Sequence, residues 1–442
     1  MRAPILPTLL LLALIFPKTA AAETLSFEEL WDRIRDRSAA VEAGGNGADA
    51  ATLAAERADR HWYPKLLLDT RAYATNDAGL TFFSLLGERR ATAADFAPSP
   101  LNHPGSELFE KGSLILDFPL YEGGQKEVLA DSAKLAAVAK ATERDAALQA
   151  EFAQTVLAYA LILSNKSEDK ELSKLAGQVD ELLRRYQLGS KSNPVGYAGA
   201  LGLKSLRARL SGLLERSKAT QKSLIAGLSI RAEINPEAWE PKEESFTQLI
   251  NDALGKAGET QEAGSSLQAR AMLEGAAAAE RAAAAEKARF LPRAGLFAQG
   301  DLTNGDRATD GSYTAGAYLQ WNLFDAPSYG AHRQAGLEAA ALRLQAKHQA
   351  QDDRIARAQA REAILAIEAN LKLLQESLDL SGEQIQTSET LFRNGSINAL
   401  QLAEVLSRRT DLILAKSQAE SQWIETSIQN FLRSGVLPRS AS

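Results

Sequence analysis

A chain of 442 residues carries a length prior of roughly three domains. With 45% hydrophobic and 24% charged residues it is neither a disordered polymer nor a polytopic helical membrane protein. The absence of cysteine excludes a disulfide framework, a thiolate metal site, a cysteine nucleophile and a lipidated N-terminal cysteine, and 50 Lys+Arg against 56 Asp+Glu, without a basic block, argues against nucleic acid as a partner.

In chain order, residues 1–22 read as a secretory signal. Arg2 opens a short basic region, Ile5 to Phe16 is apolar, and Ala20-Ala21-Ala22 is a small-residue cleavage site. Its removal takes away Arg2 and Lys18, leaving 48 basic residues against 56 acidic, a net of −8. The longest later apolar run, Val156 to Leu163, is far short of the ~20 residues of a spanning helix. The expectation is an exported chain without a transmembrane helix, either soluble or carrying membrane β-structure.

The rest is one unit written twice. Phe118-Pro119-Leu120-Tyr121-Glu122 aligns with Trp321-Asn322-Leu323-Phe324-Asp325, and Arg185 to Ser190 aligns with Leu391 to Ser396. Tyr63-Pro64-Lys65 aligns with Leu291-Pro292-Arg293, with the extra length of the first copy falling before Phe118. Each copy reads helix, strand, loop, strand, very long helix, turn, helix. The expected bounds in 23–229 are strands at 63–75 and 112–121, a long helix at 124–188 and shorter helices at 39–62 and 194–229. In 264–435 they are a helix at 264–290, strands at 291–302 and 312–324, a long helix at 328–394 and a helix at 398–433. Residues 230–263, with Pro236, Trp239 and Pro241, form an insert or a plain linker, and 436–442 a tail.

The long helices carry a 3–4 spacing: Leu172, Leu175, Val179, Leu182 and Tyr186 in the first copy, Ile364, Ile367, Leu371, Leu374, Leu378 and Ile385 in the second. That period belongs to coiled-coil seams. Both helices stop at a glycine, Gly189 and Gly395, where a left-handed cap residue belongs. Asn193-Pro194 and Asn398 with Gln401 then restart a helix. The strands alternate polar and apolar residues. Lys65, Asp69, Arg71 and Tyr73 interleave with Leu66, Leu68, Thr70 and Ala72, and Tyr318, Gln320 and Asn322 interleave with Ala317, Leu319 and Trp321. Such strands fit either a one-sided sheet or a membrane barrel. Four strands cannot close a barrel in lipid, so membrane strands require several chains, and three chains give twelve strands.

The mature start Leu25-Ser26-Phe27-Glu28-Glu29-Leu30, Pro64 before a strand, Pro119-Leu120-Tyr121-Glu122-Gly123-Gly124 before a long helix, and the two glycine turns carry a resemblance. The whole mature chain resembles the TolC-like outer-membrane efflux channels, the exit ducts of tripartite efflux pumps and type I secretion systems. The fold class this implies is mainly α with β, a duplicated strand and long-helix unit. As a homotrimer it would form a 12-stranded outer-membrane β-barrel continued by a periplasmic α-helical barrel, with 230–263 as an equatorial insert. Implied partners are a periplasmic adaptor (membrane fusion) protein, an inner-membrane pump or ABC exporter, and outer-membrane lipid, with no nucleic acid and no cofactor. The second copy departs from the motif at Asn322 and Ala326-Pro327. Val195 and Gln401 stand where the family often has an Asp after the tip glycine.

Three sets of residues follow as candidates. Leu68, Leu116, Phe118, Leu296, Leu319 and Trp321 are expected to face lipid. Leu188, Gly189, Ser190, Asn394, Gly395 and Ser396 form the expected adaptor-docking tip. Gln401 and Glu404 are the expected pore constriction, sharing a helix face with Arg408 and Asp411 at i, i+3, i+7 and i+10. The loop Asn76–Gly112, with Phe82-Phe83, Leu85-Leu86 and Asp95-Phe96-Ala97-Pro98, is expected outside the membrane, packing in the barrel mouth or meeting a partner. No catalytic constellation appears: His61, His103, His332 and His348 are scattered, and no phosphate loop, nucleophile elbow or dinucleotide fingerprint occurs. The rival readings are a periplasmic coiled-coil structural or adaptor protein without a barrel, and an extracytoplasmic enzyme.

Overall fold

The computed structural model describes residues 23–185, 194–255 and 265–438. The signal segment, the first tip Leu188-Gly189-Ser190, Tyr186, the end of the insert and the last four residues lie outside the described residues. The elements are β1 (Glu23–Leu25), α1 (Phe27–Arg35), α2 (Ala39–Asp59), β2 (Lys65–Thr75), α3 (Ala78–Gly87), α4 (Pro98–Asn102), β3 (Glu107–Glu122), α5 (Gln125–Arg185), α6 (Pro194–Ala232), β4 (Trp239–Pro241), α7 (Phe246–Leu254), α8 (Leu267–Ala288), β5 (Arg293–Asn304), β6 (Thr309–Gln320), α9 (Ala331–Arg393) and α10 (Ala399–Leu432). They fall into two units. The first takes Met1–Ala40, Leu148–Ala263 and Arg357–Ser442; the second takes Val41–Ala147 and Gly264–Ala356.

The first unit is helical. Ser26 caps α1 in a reciprocal box with Glu29, whose carboxylate accepts from the Ser26 backbone N–H at 2.8 Å. The apolar face that follows, Phe27, Leu30, Trp31 and Ile34, is fully buried. It meets Phe152 and Tyr159 of α5 edge-on, with ring centres 5.1–5.8 Å apart. The Tyr159 hydroxyl donates to the Leu25 carbonyl at 2.9 Å and accepts from the Lys242 N–H at 3.1 Å, so it fastens the short parallel pair β1–β4 onto α5. Truncating Phe152 to Ala at this junction should cost about 3–5 kcal/mol. A second core follows the 3–4 spacing: Leu172, Leu175, Val179 and Leu182 of α5 interlock with Leu203, Leu206 and Leu210 of α6, Leu378 and Ile385 of α9, and Leu402, Leu406 and Ile413 of α10. Gly199 lets α6 cross α10 closely, since a Cβ there would collide with the Cβ of Ala399.

One stretch departs from expectation. An 18-residue window of α5 has a mean hydropathy of 1.4, long and apolar enough by composition to cross a membrane. Half of it is buried within the structure, as a core helix would be. Counting only unbroken apolar runs missed it, because isolated polar residues such as Thr155 and Gln149 interrupt the stretch while remaining buried.

The second unit holds alanine-rich helices and a four-stranded antiparallel sheet of order β2-β3-β5-β6. Alanines of α8 (Ala269, Ala276, Ala283) are buried, and small side chains permit the close helix contacts that large aromatics would prevent. Gly123 and Gly124, at φ +69 and +73, turn the chain from β3 into α5; a Cβ on Gly123 would lie 2.8 Å from the Ala288 carbonyl oxygen. The central β3–β5 seam joins the two sequence repeats. β3 begins at Glu107, five residues before the expected start, and the preceding loop contains α3 and α4.

Candidate functional site

Strand register sorts the side chains of the sheet into two faces. Leu68 pairs with Leu114, Leu66 with Leu116, Leu116 with Ala298, Phe118 with Leu296, Leu296 with Ala317, and Ala294 with Leu319. Five of the six residues expected to face lipid therefore share one face, and Trp321 lies just past the end of β6, its indole N–H donating to the Phe290 carbonyl at 3.0 Å. Leu68 and Leu319 are 68% and 71% exposed in the isolated chain. The opposite face is polar and internally bonded. Ser113 donates to Asp301 at 2.6 Å, Gln299 donates to Asp301 at 2.8 Å, Tyr318 donates to Asp117 at 3.0 Å, and Arg71 pairs with Asp69 at 2.7 Å. β2 and β6 end the sheet, each with a long edge free of strand partners among the described residues.

The second glycine turn is built as its sequence demands. Gly395, at φ +77, donates to the Phe392 carbonyl at 3.1 Å, and Ser396 donates to the Leu391 carbonyl at 2.8 Å. This pair of bonds satisfies the last carbonyls of α9. Asn398 then starts α10: its side chain accepts from the N–H groups of Leu400 and Gln401, and its own N–H donates to Gln401 Oε1, all at 3.0 Å. Asn394, Gly395 and Ser396 thus form a tight, exposed helical hairpin.

No family sequence model and no curated protein matches the chain. Solved structures do. A membrane protein from Pseudomonas aeruginosa shares 15% identity with a TM-score of 0.74, covering 93% of this chain and 92% of that one. The open state of the Neisseria gonorrhoeae MtrE outer membrane channel gives 13%, 0.72, 92% and 88% in the same order. The Campylobacter jejuni CmeC outer membrane channel gives 13%, 0.70, 94% and 87%. The chain has the TolC-like outer-membrane factor fold.

Within this TolC-like fold, the three charged residues of the candidate constriction face of α10 are all paired, and the neutral Gln401 is bonded too. Gln401 is engaged in the cap of its own helix. Glu404 accepts a 2.6 Å hydrogen bond from Arg408, and Asp411 accepts one of 2.5 Å from Arg209 of α6. Any ring built on Glu404 is therefore a ring of Glu–Arg pairs, which the spacing of acids alone does not reveal. Deeper in the first unit, Glu420 is buried, and burial pushes its carboxyl above the ordinary 4.5 despite Lys416 at 3.6 Å and the Ser164 hydroxyl at 3.2 Å. Among the described residues no three His, Asp or Glu side chains converge to hold a metal ion. His332 Nδ1 lies 2.9 Å from the Ala283 carbonyl and His348 Nε2 lies 3.5 Å from Asp352, both consistent with local structural roles.

Sequence reasoning missed one cluster. Glu88, at the end of α3, is fully buried and accepts from the backbone N–H groups of Arg307 and Ala308 in the β5–β6 turn, at 3.2 and 3.1 Å. Arg307 in turn makes two hydrogen bonds to Asp95, at 2.7 and 2.8 Å. The run Asp95-Phe96-Ala97-Pro98 was the only trace of it in the sequence.

Proposed function

We propose that the chain is one protomer of a homotrimeric outer-membrane duct, which conducts substrate passively from periplasm to exterior as the exit of a tripartite efflux pump or type I secretion system. The observation that carries this is the sheet: an exposed apolar face, a bonded polar face and two unpaired edges. In water such a face and such edges invite aggregation. In lipid the apolar face is satisfied, while the edges must be closed. β2 and β6 run antiparallel within the sheet, so the β6 edge of one copy meets the β2 edge of the next in the same antiparallel sense. Repeating that step closes a ring, and three copies give twelve strands. A β2 of 11 residues, tilted by about 40°, rises about 28 Å, the depth of a bilayer core.

Leu68, Leu116, Phe118, Leu296, Leu319 and Trp321 then face lipid, and the Asp117 and Asp301 networks face the lumen. The hairpin Asn394-Gly395-Ser396 presents a compact helix end for a periplasmic adaptor, and the repeat gives Leu188-Gly189-Ser190, outside the described residues, the same role. Energy comes from an inner-membrane pump or ABC exporter, so the duct itself performs no catalytic step. Cell fractionation tests the reading. Recovery with the outer membrane, extraction only by detergent and heat-modifiable migration are expected; release by osmotic shock would make this a soluble periplasmic coiled-coil protein instead.

A further inference from the structure

Helix α3 is amphipathic in reverse. Its buried positions are Thr81, Ser84 and Leu85, followed by Glu88, while Leu80, Phe83 and Leu86 are exposed, Phe83 at 71%. Exposed Phe96 belongs to the same apolar surface, with the ring of Phe82 set edge-on to both Phe83 and Phe96. The wall beneath the helix accounts for the reversal. Tyr73 pairs with Phe109 and Lys111 with Thr303, which puts Tyr73, Phe109 and Thr303 on the face that bears Asp117, Asp301 and Tyr318, opposite the apolar face. Ser84 and Tyr73 share a hydrogen bond of 2.9 Å. A Cβ on Gly87 would lie 2.9 Å from Thr303 Oγ1, so the helix sits too close for any side chain at that point. Glu88 bonded to the β5–β6 turn, and Arg307 bonded to Asp95, tie the C-terminal end of α3 and the run that follows it to that turn. The Arg307 guanidinium also holds the Asp95 carboxyl far below the usual carboxylate range, so this tether stays charged across physiological pH.

We propose that the segment around α3 folds inward over the polar face as an outer constriction of the duct, and that three copies narrow the mouth by packing Leu80, Phe83 and Leu86 against one another around the axis. This rests on the trimeric duct reading. Twelve strands at about 4.8 Å spacing and 40° tilt enclose a backbone radius of about 12 Å. Three helices, each about 10 Å across, fill a circle of that size. Their polar faces meet the polar wall, and their apolar faces find partners only in the neighbouring copies. The constriction admits solute when the three segments part, which makes the residues at its centre a size filter distinct from the periplasmic end.

The absence of native cysteine gives a clean test. Phe83→Cys trimers in outer membrane, treated with a short bis-maleimide, should yield covalent dimers on a denaturing gel; Leu68→Cys trimers should not. In planar bilayers, replacing residues 78–105 by a short Gly-Ser link should raise single-channel conductance at least about twofold. Phe83→Ser should act in the same direction and covers the case in which the shortened chain does not assemble. Channels of unchanged conductance with no Phe83→Cys dimer overturn the constriction and leave the duct standing. Absence of channels in every variant overturns the duct and the constriction with it, whether or not dimers form.

Discussion

Leu67 and Leu68 offer a paired test of which face meets lipid. They are neighbours on β2, 57% and 68% exposed in the isolated chain, and they point to opposite faces because Leu67 pairs with Ile115 and Leu68 with Leu114. In a soluble sheet, replacing either exposed leucine by arginine should change stability by no more than about 0.5 kcal/mol. In a barrel the two part company. Leu68 stands two residues from Thr70, the centre of β2, which is about 5 Å of depth at 3.3 Å per residue and 40° tilt. That is well inside an apolar band about 25 Å tall, so Leu68→Arg should cost about 2–3 kcal/mol per chain, or roughly 6–9 kcal/mol per trimer. Leu67→Arg faces the aqueous lumen and should stay within about 0.5 kcal/mol. The measurement is trimer yield and urea midpoint in lipid vesicles for both variants. Equal midpoints would refute the assignment of faces, and a larger loss for Leu67→Arg would invert it.

Three further outcomes are expected. Gly395→Val forces a β-branched residue to φ +77 and should destabilise the α9–α10 hairpin by about 1–2 kcal/mol, read as a lower thermal midpoint and weaker adaptor cross-linking. Because Arg408 sits on Glu404, Glu404→Gln should turn the pore toward anions rather than merely lessen cation preference, whereas Arg408→Gln should strengthen cation preference; reversal potentials in a salt gradient that fail to move in opposite directions place the pair away from the constriction. Glu420 has a folded pKa above its unfolded value, so the folded state binds the extra proton and stability falls as pH rises from about 4.5 through the raised value. Glu420→Gln, which keeps an acceptor for Ser164, should raise the unfolding midpoint at pH 8 and make no difference below pH 4; the same gain at both pH values would show that ionisation is not its source.

The duplicated architecture was legible because it rests on period and punctuation. A 3–4 spacing through Leu172 and Leu182, and glycine at 395, are local statements about helices and caps. Strand alternation named Leu68 and Leu319 without showing that they share a face, since that depends on pairings such as Ala294 with Leu319. Helix α3 escaped notice for a physical reason. Sequence patterns assume apolar residues turn inward, but this helix turns Thr81, Ser84 and Glu88 inward beside Leu85 and leaves Leu80, Phe83 and Leu86 exposed. The Glu404–Arg408 contact was available in the i, i+4 spacing. The Arg209–Asp411 and Arg307–Asp95 contacts join residues 202 and 212 positions apart, which no local pattern can pair.

The β3–β5 seam also governs the order in which the sheet is made. β5 and β6 are joined by a four-residue turn, whereas Ser113 meets Asp301 across 188 residues. By loop-closure entropy alone the long-range pairing is about 3 kcal/mol harder to initiate than the hairpin. Such topology places β3–β5 pairing late and makes folding slow relative to the local helix hairpins. Until residue 304 has arrived, the inner edge of β3 is as bare as the edges of the finished sheet, and an arriving chain needs protection at an edge that the folded sheet pairs with β5. A circular permutant that shortens the connection between β3 and β5 should fold faster at a similar final stability.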